Sequence, residues 1–271
     1  MPELPEVEVI RRELVPQLVG QIVDDVEIHW SKSFVDQSSD KITGKTILDI
    51  NRMGKYLVIV LSAGYLVVHL RMTGQLMFAG GMPENKKHIR IILRMRSGKY
   101  LIYFDSRKFG RLIHADRLNG VLKNTGIDAL SPELSVIMFQ QMLKNHNRMV
   151  KSFLMDQRQI AGLGNIYVDE SLFRAKIHPQ TITHIIPERK IYLLFESIRE
   201  TLLHSIKNMG TTISDYKTVG GGFGGHQRFL QVYGRGDKPC FVCGTPIRKI
   251  RMNNRGTHFC PKCQPLRKKR Q

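Results

Sequence analysis

The chain has 271 residues, 42% of them hydrophobic, and carries 42 Lys and Arg against 23 Asp and Glu, a formal charge of +19. That length holds one large domain or two ordinary ones, each with its own core. The basic excess favours a polyanionic partner, nucleic acid ahead of an anionic membrane because no long basic amphipathic helix is present. The most apolar stretch, Tyr56 to Leu70, is interrupted by Ser62, Gly64 and His69 and is too short to span a bilayer as a helix.

The chain opens M-P-E-L-P-E-V-E, which lacks the basic start, apolar run and small-residue cleavage site of a secretory signal. From Val7 the residues Val7, Ile10, Leu14 and Leu18 recur at helical spacing, and Pro16 is expected to kink or end that helix. Short β-rich runs follow at 21–28, 46–50, 56–61, 65–70, 89–95, 100–105 and 111–114. Turn signals at Gly54, Ser62-Ala63-Gly64, Gly80-Gly81 and Ser97-Gly98 separate them. With no helices alternating between them, these strands predict an antiparallel β-sandwich rather than a Rossmann sheet.

After Gly126 the pattern turns helical. Ser131-Pro132-Glu133 reads as the start of a helix to about Lys144, and further helices are expected over 148–155, 166–175 and 188–209. The division expected is 1–126, 127–225 and 226–271. Gly220 to Gly225 has too little bulk to pack and is expected to be a mobile loop.

Three stretches carry candidate chemistry. Loss of Met1 would leave Pro2 with a secondary amine, whose unperturbed pKa of about 8 lies much nearer neutrality than that of lysine. Its attack on an aldehyde-level carbon gives an iminium ion with no N–H to lose, an electron sink for elimination. Glu3 and Glu6 lie within one turn, where one could serve as general acid or base. The plainer alternative is that Pro2 and Pro5 start a helix and the acids are solvated first-turn residues.

Gly162-Leu163-Gly164-Asn165 joins two expected helices. Its bare N–H groups could hold a phosphate, or Asn165 could simply be an N-cap. All four cysteines, Cys240, Cys243, Cys260 and Cys263, form a C-x2-C-x16-C-x2-C frame, the pattern of a closed, structural zinc site, with two disulfides as the weaker alternative. Around them, Arg228 to Gln271 hold twelve basic residues against the single acid Asp237, and Arg267 to Arg270 read as a nonspecific basic anchor.

The opening string, with G-K-Y-L, H-L-R-M-T-G, D-S-R-K-F-G, A-G-L-G-N-I-Y-V-D-E and R-G-T-H-F-C-P-K-C further on, resembles bacterial formamidopyrimidine-DNA glycosylase from end to end. The resemblance implies an α+β protein: an N-terminal antiparallel β-sandwich with an N-terminal helix, then a helical helix-two-turn-helix domain with a zinc finger. It implies a bifunctional glycosylase and AP lyase for oxidised purines in which Pro2 is the nucleophile and Glu3 handles protons, with Lys55 and Arg255 in the catalytic set. Lys55 and Arg255 would contact phosphate. His88, Asn165, Lys151 and Tyr233 would bind DNA. Met72, Arg107 and Phe109, of which Met72 and Phe109 otherwise read as core residues, would fill the gap left by an everted base, with Arg107 facing the orphan. Glu6, Thr212, Ser214 and Tyr216 would lie near the lesion.

The implied cofactor is one structural zinc ion with no catalytic metal. The implied partner is duplex DNA bearing oxidised purines or abasic sites, bound by a monomer in the bacterial cytoplasm and associated with the nucleoid. Arg90 stands where the family commonly has a second histidine, and Thr73 where it commonly has glutamate. An endonuclease VIII-like enzyme for oxidised pyrimidines is the near alternative, against which Leu4 and the Arg107-Lys108-Phe109 run speak. A noncatalytic zinc-ribbon DNA-binding protein is the distant one.

Overall fold

Helix α1 (Leu4–Leu18) is entered through Glu3, whose N–H donates to the Glu6 carboxylate at 2.8 Å, with Pro5 in the first turn where a missing N–H costs nothing. Its apolar stripe, Val7, Ile10, Leu14 and Leu18, is buried. Pro16 does not end the helix, which runs on to Leu18. In the last turn the proline forfeits one intrahelical bond, and Leu18, fully buried, holds that turn against the core. The computed structural model describes residues 2–266, so Met1 and the basic run Arg267 to Arg270 lie outside the described residues.

Nine strands follow: β1 (Val23–Ile28), β2 (Phe34–Gln37), β3 (Ile47–Met53), β4 (Tyr56–Leu61), β5 (Tyr65–His69), β6 (Gly74–Ala79), β7 (Ile89–Met95), β8 (Tyr100–Asp105) and β9 (Arg111–Ala115). One sheet has the order β1-β7-β8-β6 and the other β2-β9-β5-β4-β3. Every pair in these two sheets is antiparallel, as expected of the sandwich, except β2 with β9, which is parallel. Strands β2 and β6 were not expected, because Phe34–Gln37 and Gly74–Ala79 carry little β-branched character. Pairing with β9 and β8 makes them strands. One core joins the α1 stripe to Ile50, Ile59, Val68, Leu93, Leu101, Tyr103 and Leu112 from both sheets.

Contacts divide the chain into two units, Met1–Lys123 with Ile206–Gln227, and Asn124–Ser205 with Arg228–Gln271. Segment 206–227, which the sequence placed in the helical part, thus clusters with the sandwich. Side-chain acceptors explain it: buried Glu6 accepts the Thr211 N–H at 2.8 Å, half-buried Glu13 accepts the Val219 N–H at 2.6 Å, and Tyr216 and Val219 enter the sandwich core. The glycine-rich stretch is pinned here too. Gly224 donates to the Thr212 hydroxyl at 2.8 Å, Gly225 to the Asn208 carbonyl at 2.8 Å, and a Cβ on Gly224 would stand 2.3 Å from the Gly210 carbonyl oxygen.

Short helix α2 (Leu118–Leu122) ends the first part of the sandwich unit. In the second unit β10 (Ile127–Asp128) pairs in parallel with β11 (Ile160–Ala161), around α3 (Val136–Lys144) and α4 (Val150–Leu154), followed by α5 (Asn165–Arg174) and, across the unit boundary, α6 (Glu188–Lys207). Helix α3 starts later than Ser131-Pro132-Glu133 suggests. The Ser131 hydroxyl accepts the Glu133 N–H to close a turn, and Ser135 is the cap, accepting the Met138 N–H at 3.2 Å. Strands β12 (Arg248–Met252) and β13 (Arg255–Phe259) form a hairpin through Asn253 and Asn254, both at positive φ as a two-residue type I′ turn requires.

Candidate active site and nucleic-acid interface

Pro2 and Glu3 are both buried at the start of α1. Glu6 binds two backbone donors, Glu3 N–H and Thr211 N–H, each at 2.8 Å, so its carboxylate fastens the N-terminus to segment 206–227. Lys55 occupies the two-residue β3–β4 turn behind Gly54, whose φ of +57° suits glycine. It is only 6% exposed, unlike an ordinary turn lysine. Burial, with the charges of Arg71 and Lys55, pushes the neighbouring His69 down to about 3 and keeps it neutral at pH 7. Glu8 lies behind this turn. Burial works against its charged form, but hydrogen bonds from Arg11 and Arg12 and the charges of Arg11 and Arg52 prevail and hold it at about 2.

Met72, Arg107 and Phe109 meet on the surface of the sandwich unit. Met72 and Phe109 are 40% and 48% exposed. An Arg107 N–H donates to the Met72 sulfur at 3.3 Å, and the guanidinium carbon lies 4.9 Å from the Phe109 ring centre. Two apolar side chains and a planar cation therefore form one projecting group. Below it the fully buried Asp105 carboxylate accepts the Arg107 N–H at 3.1 Å, the Gly110 N–H at 2.8 Å, the Tyr103 hydroxyl at 3.2 Å and the Thr73 hydroxyl. The Thr73 oxygen also accepts the Arg107 N–H at 3.2 Å, so threonine fits this position by bracing the loop. Arg90 donates to the Asp105 carbonyl at 2.8 Å and lies 3.4 Å from the His88 ring, which gives it a bracing role beside His88.

Gly110 admits no side chain, since a Cβ there would stand 1.8 Å from the Tyr103 hydroxyl oxygen and 2.9 Å from the His69 carbonyl oxygen. Gly110→Ala should lower unfolding free energy by about 1–3 kcal/mol, the usual cost of overpacking. Urea unfolding checks it. An unchanged midpoint would mean that Tyr103 moves aside freely.

A cleft of about 400 Å³ opens next to this group, lined among others by Thr73, Gln75, His88, Ser106, Asp215 and Thr218. Of the residues expected at the lesion, none of Glu6, Thr212, Ser214 and Tyr216 lines it. Tyr216 is core and donates to the Met209 carbonyl at 3.2 Å. Thr212 donates to the Tyr216 carbonyl at 3.0 Å, and Ser214 donates to Asp215 at 2.7 Å. These residues shape the segment, whereas Asp215, Lys217, Thr218, Val219 and Gly221 of the same segment line the cleft.

In the second unit, Gly164 is the N-cap of α5 and Asn165 its first residue, so Asn165 is not the cap. The Asn165 amide donates to the Gly256 carbonyl at 2.9 Å. Lys151 is 3% exposed and bonds the Asp169 carboxylate at 2.6 Å, so its ammonium points inward rather than to a surface ligand. Arg255 begins β13 at the hairpin tip and is exposed. Tyr233 stacks edge-on against His258, and its N–H, with those of Gln231 and Val232, donates to buried Glu170 at 2.8–2.9 Å. Asp105, Asp169 and Glu170 sit inside motifs quoted above, but nothing in the sequence distinguishes their bracing role from a surface carboxylate.

The four cysteine sulfurs lie within 4.8 Å of one another, with Cys240–Cys263 at 4.0 Å and Cys243–Cys260 at 3.4 Å. Tetrahedral zinc with bonds of about 2.3 Å sets its sulfurs about 3.8 Å apart, which these separations bracket. Hydrogen bonds from Thr245 hold Cys243 down at about 6, while burial raises Cys260 and Cys263. Four crowded thiols resist ionising together, and a divalent cation removes that resistance. The set therefore fits one structural zinc ion with no ligand position left open.

Family models match three consecutive stretches: the formamidopyrimidine-DNA glycosylase N-terminal domain over residues 1–112, its H2TH domain over 125–217, and a zinc finger found in FPG and IleRS over 237–266. A formamidopyrimidine-DNA glycosylase of Pediococcus pentosaceus is 43% identical over 275 residues, spanning 98% of this chain and 100% of the relative. The chain belongs to the formamidopyrimidine-DNA glycosylase family.

Two solved Lactococcus lactis relatives share its fold. One is an FPG mutant in complex with DNA containing Fapy-dG, 37% identical with a TM-score of 0.89, covering 97% of this chain and 100% of that one. The other is Fpg in complex with DNA containing an abasic site, 37% identical with a TM-score of 0.88, covering 97% and 99%. As in the formamidopyrimidine-DNA glycosylase family models, the sandwich, the helix-two-turn-helix stretch and the zinc finger follow in that order. Among the described residues no helix is long and apolar enough to cross a membrane.

Proposed function

We propose that the chain is a bifunctional DNA glycosylase and AP lyase of base-excision repair, removing 8-oxoguanine and formamidopyrimidines from duplex DNA as a monomer in the bacterial cytoplasm. The observation that carries this reading is the buried Pro2-Glu3 pair held at the start of α1 by Glu6, in a chain of this family. The Pro2 amine displaces the base at C1′ of the damaged nucleotide and gives up its proton to the departing base, and Glu3 protonates O4′ as the C1′–O4′ bond opens to leave the iminium ion. The Glu3 carboxylate so formed takes the C2′ proton, the C2′–H electrons form the C2′–C3′ double bond, and the C3′–O bond breaks to release the 3′ phosphate. Lys55 and Arg255 hold phosphate, His88, Asn165, Lys151 and Tyr233 support the DNA contacts, and the cleft beside His88, about 400 Å³, accepts the everted base. Relatives solved with Fapy-dG and with an abasic site correspond to the substrate and the product of the first step.

Met72, Phe109 and Arg107 fill the vacated place. A guanidinium donates in one plane to O2 and N3 of an orphaned cytosine, whereas adenine presents a donor at N6, which favours lesions opposite cytosine. Incubation with duplex carrying 8-oxoguanine opposite cytosine under borohydride should give a stable protein–DNA crosslink that peptide mapping places on Pro2. An adduct on a lysine, or a retained Met1 with full activity, overturns the assignment.

A further inference from the structure

We propose that Asp169 is the positioning residue for the Arg255 hairpin: through one buried carboxylate it sets where the Arg255 guanidinium meets DNA phosphate. Asp169 sits one turn beyond Asn165 on α5, so both face β13. Its side chain is fully buried and both oxygens are engaged. Oδ1 accepts from the Lys151 ammonium at 2.6 Å, and Oδ2 accepts the His258 N–H of β13 at 2.8 Å.

Lys151, held in this way, lies 3.4 Å from the Gly256 carbonyl oxygen, which also accepts from the Asn165 amide at 2.9 Å. The residue next to Arg255 is thereby gripped from α4 and α5 together, and Asn253 at the turn donates to Ser152 of α4 at 2.7 Å. An exposed arginine at a two-residue turn would otherwise lose entropy each time it docked on a phosphate. A strand fixed at Gly256 and His258 meets that cost on folding. A carboxylate is required because the ammonium at Lys151 is buried, and an unpaired buried cation is expensive. This arrangement also assigns Lys151 to the support of the hairpin.

The inference rests on the reading of Arg255 as a phosphate ligand. The experiment is a double-mutant cycle on the zinc-loaded full chain, measuring affinity for duplex containing a stable abasic-site analogue over a range of salt. Asp169→Asn should weaken binding about tenfold in the wild-type background and less than about twofold in the Arg255→Ala background. It should also flatten the salt dependence by as much as Arg255→Ala does. If Asp169→Asn fails to fold, Lys151→Met with Asp169→Asn removes both charges together, leaves no lone buried ion and should show the same dependence on Arg255. Equal losses in the two backgrounds would make Asp169 merely structural and overturn the proposal, as would unchanged affinity. Normal affinity and salt slope in Arg255→Ala alone would instead overturn the reading of Arg255.

Discussion

Glu3→Gln should bind damaged duplex with wild-type affinity and lose base excision by about 10²- to 10⁴-fold, the contribution of a positioned general acid or base. The amide keeps the size of the carboxyl group in a site that is 3% exposed, and the main-chain bond from Glu3 to Glu6 is unaffected. The contrasting variant is Glu6→Gln. Glu6 stood as the next acid in line, yet its carboxylate accepts N–H groups from Glu3 and Thr211, and an amide NH2 would face one of them as a second donor. Loss of one buried acceptor costs about 1–3 kcal/mol, so Glu6→Gln should lower thermal stability where Glu3→Gln does not. Single-turnover excision and calorimetry on both variants separate the roles. Full excision by Glu3→Gln would move the proton elsewhere.

Zinc removal should have the next largest effect. Structural zinc in small fingers contributes about 10–16 kcal/mol of apparent binding free energy, most of it realised as folding. Here Cys240 and Cys260 are part of a small core with Phe173, Val232 and Ile247. Chelation or Cys260→Ser should therefore melt the β12–β13 hairpin, remove Arg255 from DNA and reduce affinity steeply. The sandwich unit has a separate core and should remain folded, so its unfolding transition should persist at nearly the same urea concentration. A metal-free chain that binds damaged duplex normally would contradict a structural zinc.

Local pattern sufficed where neighbours in sequence supply the physics. Strands β4, β7 and β8 have the bounds read from their β-branched and aromatic runs, and the α1 stripe is the buried stripe, because residue spacing along one element decides which side chains share a face. The cysteine frame is similarly legible, since two close pairs of thiols specify tetrahedral coordination whatever the fold around them.

Partners far apart in sequence decided the rest. Strands β2 and β6 exist because β9 and β8 complete their hydrogen bonds, and β2 runs parallel to its partner although propensity is silent on direction. Glu6 and Tyr216, named for the lesion by the resemblance, are held by Thr211 and the sandwich core, partners the sequence does not announce. Lys151 is likewise held by Asp169, 18 residues away. A charged or hydroxyl side chain has the same identity on a surface and in a bracket. Which of the two it becomes depends on whether folding brings a complementary buried group within hydrogen-bonding distance, and spacing along the chain carries no record of that.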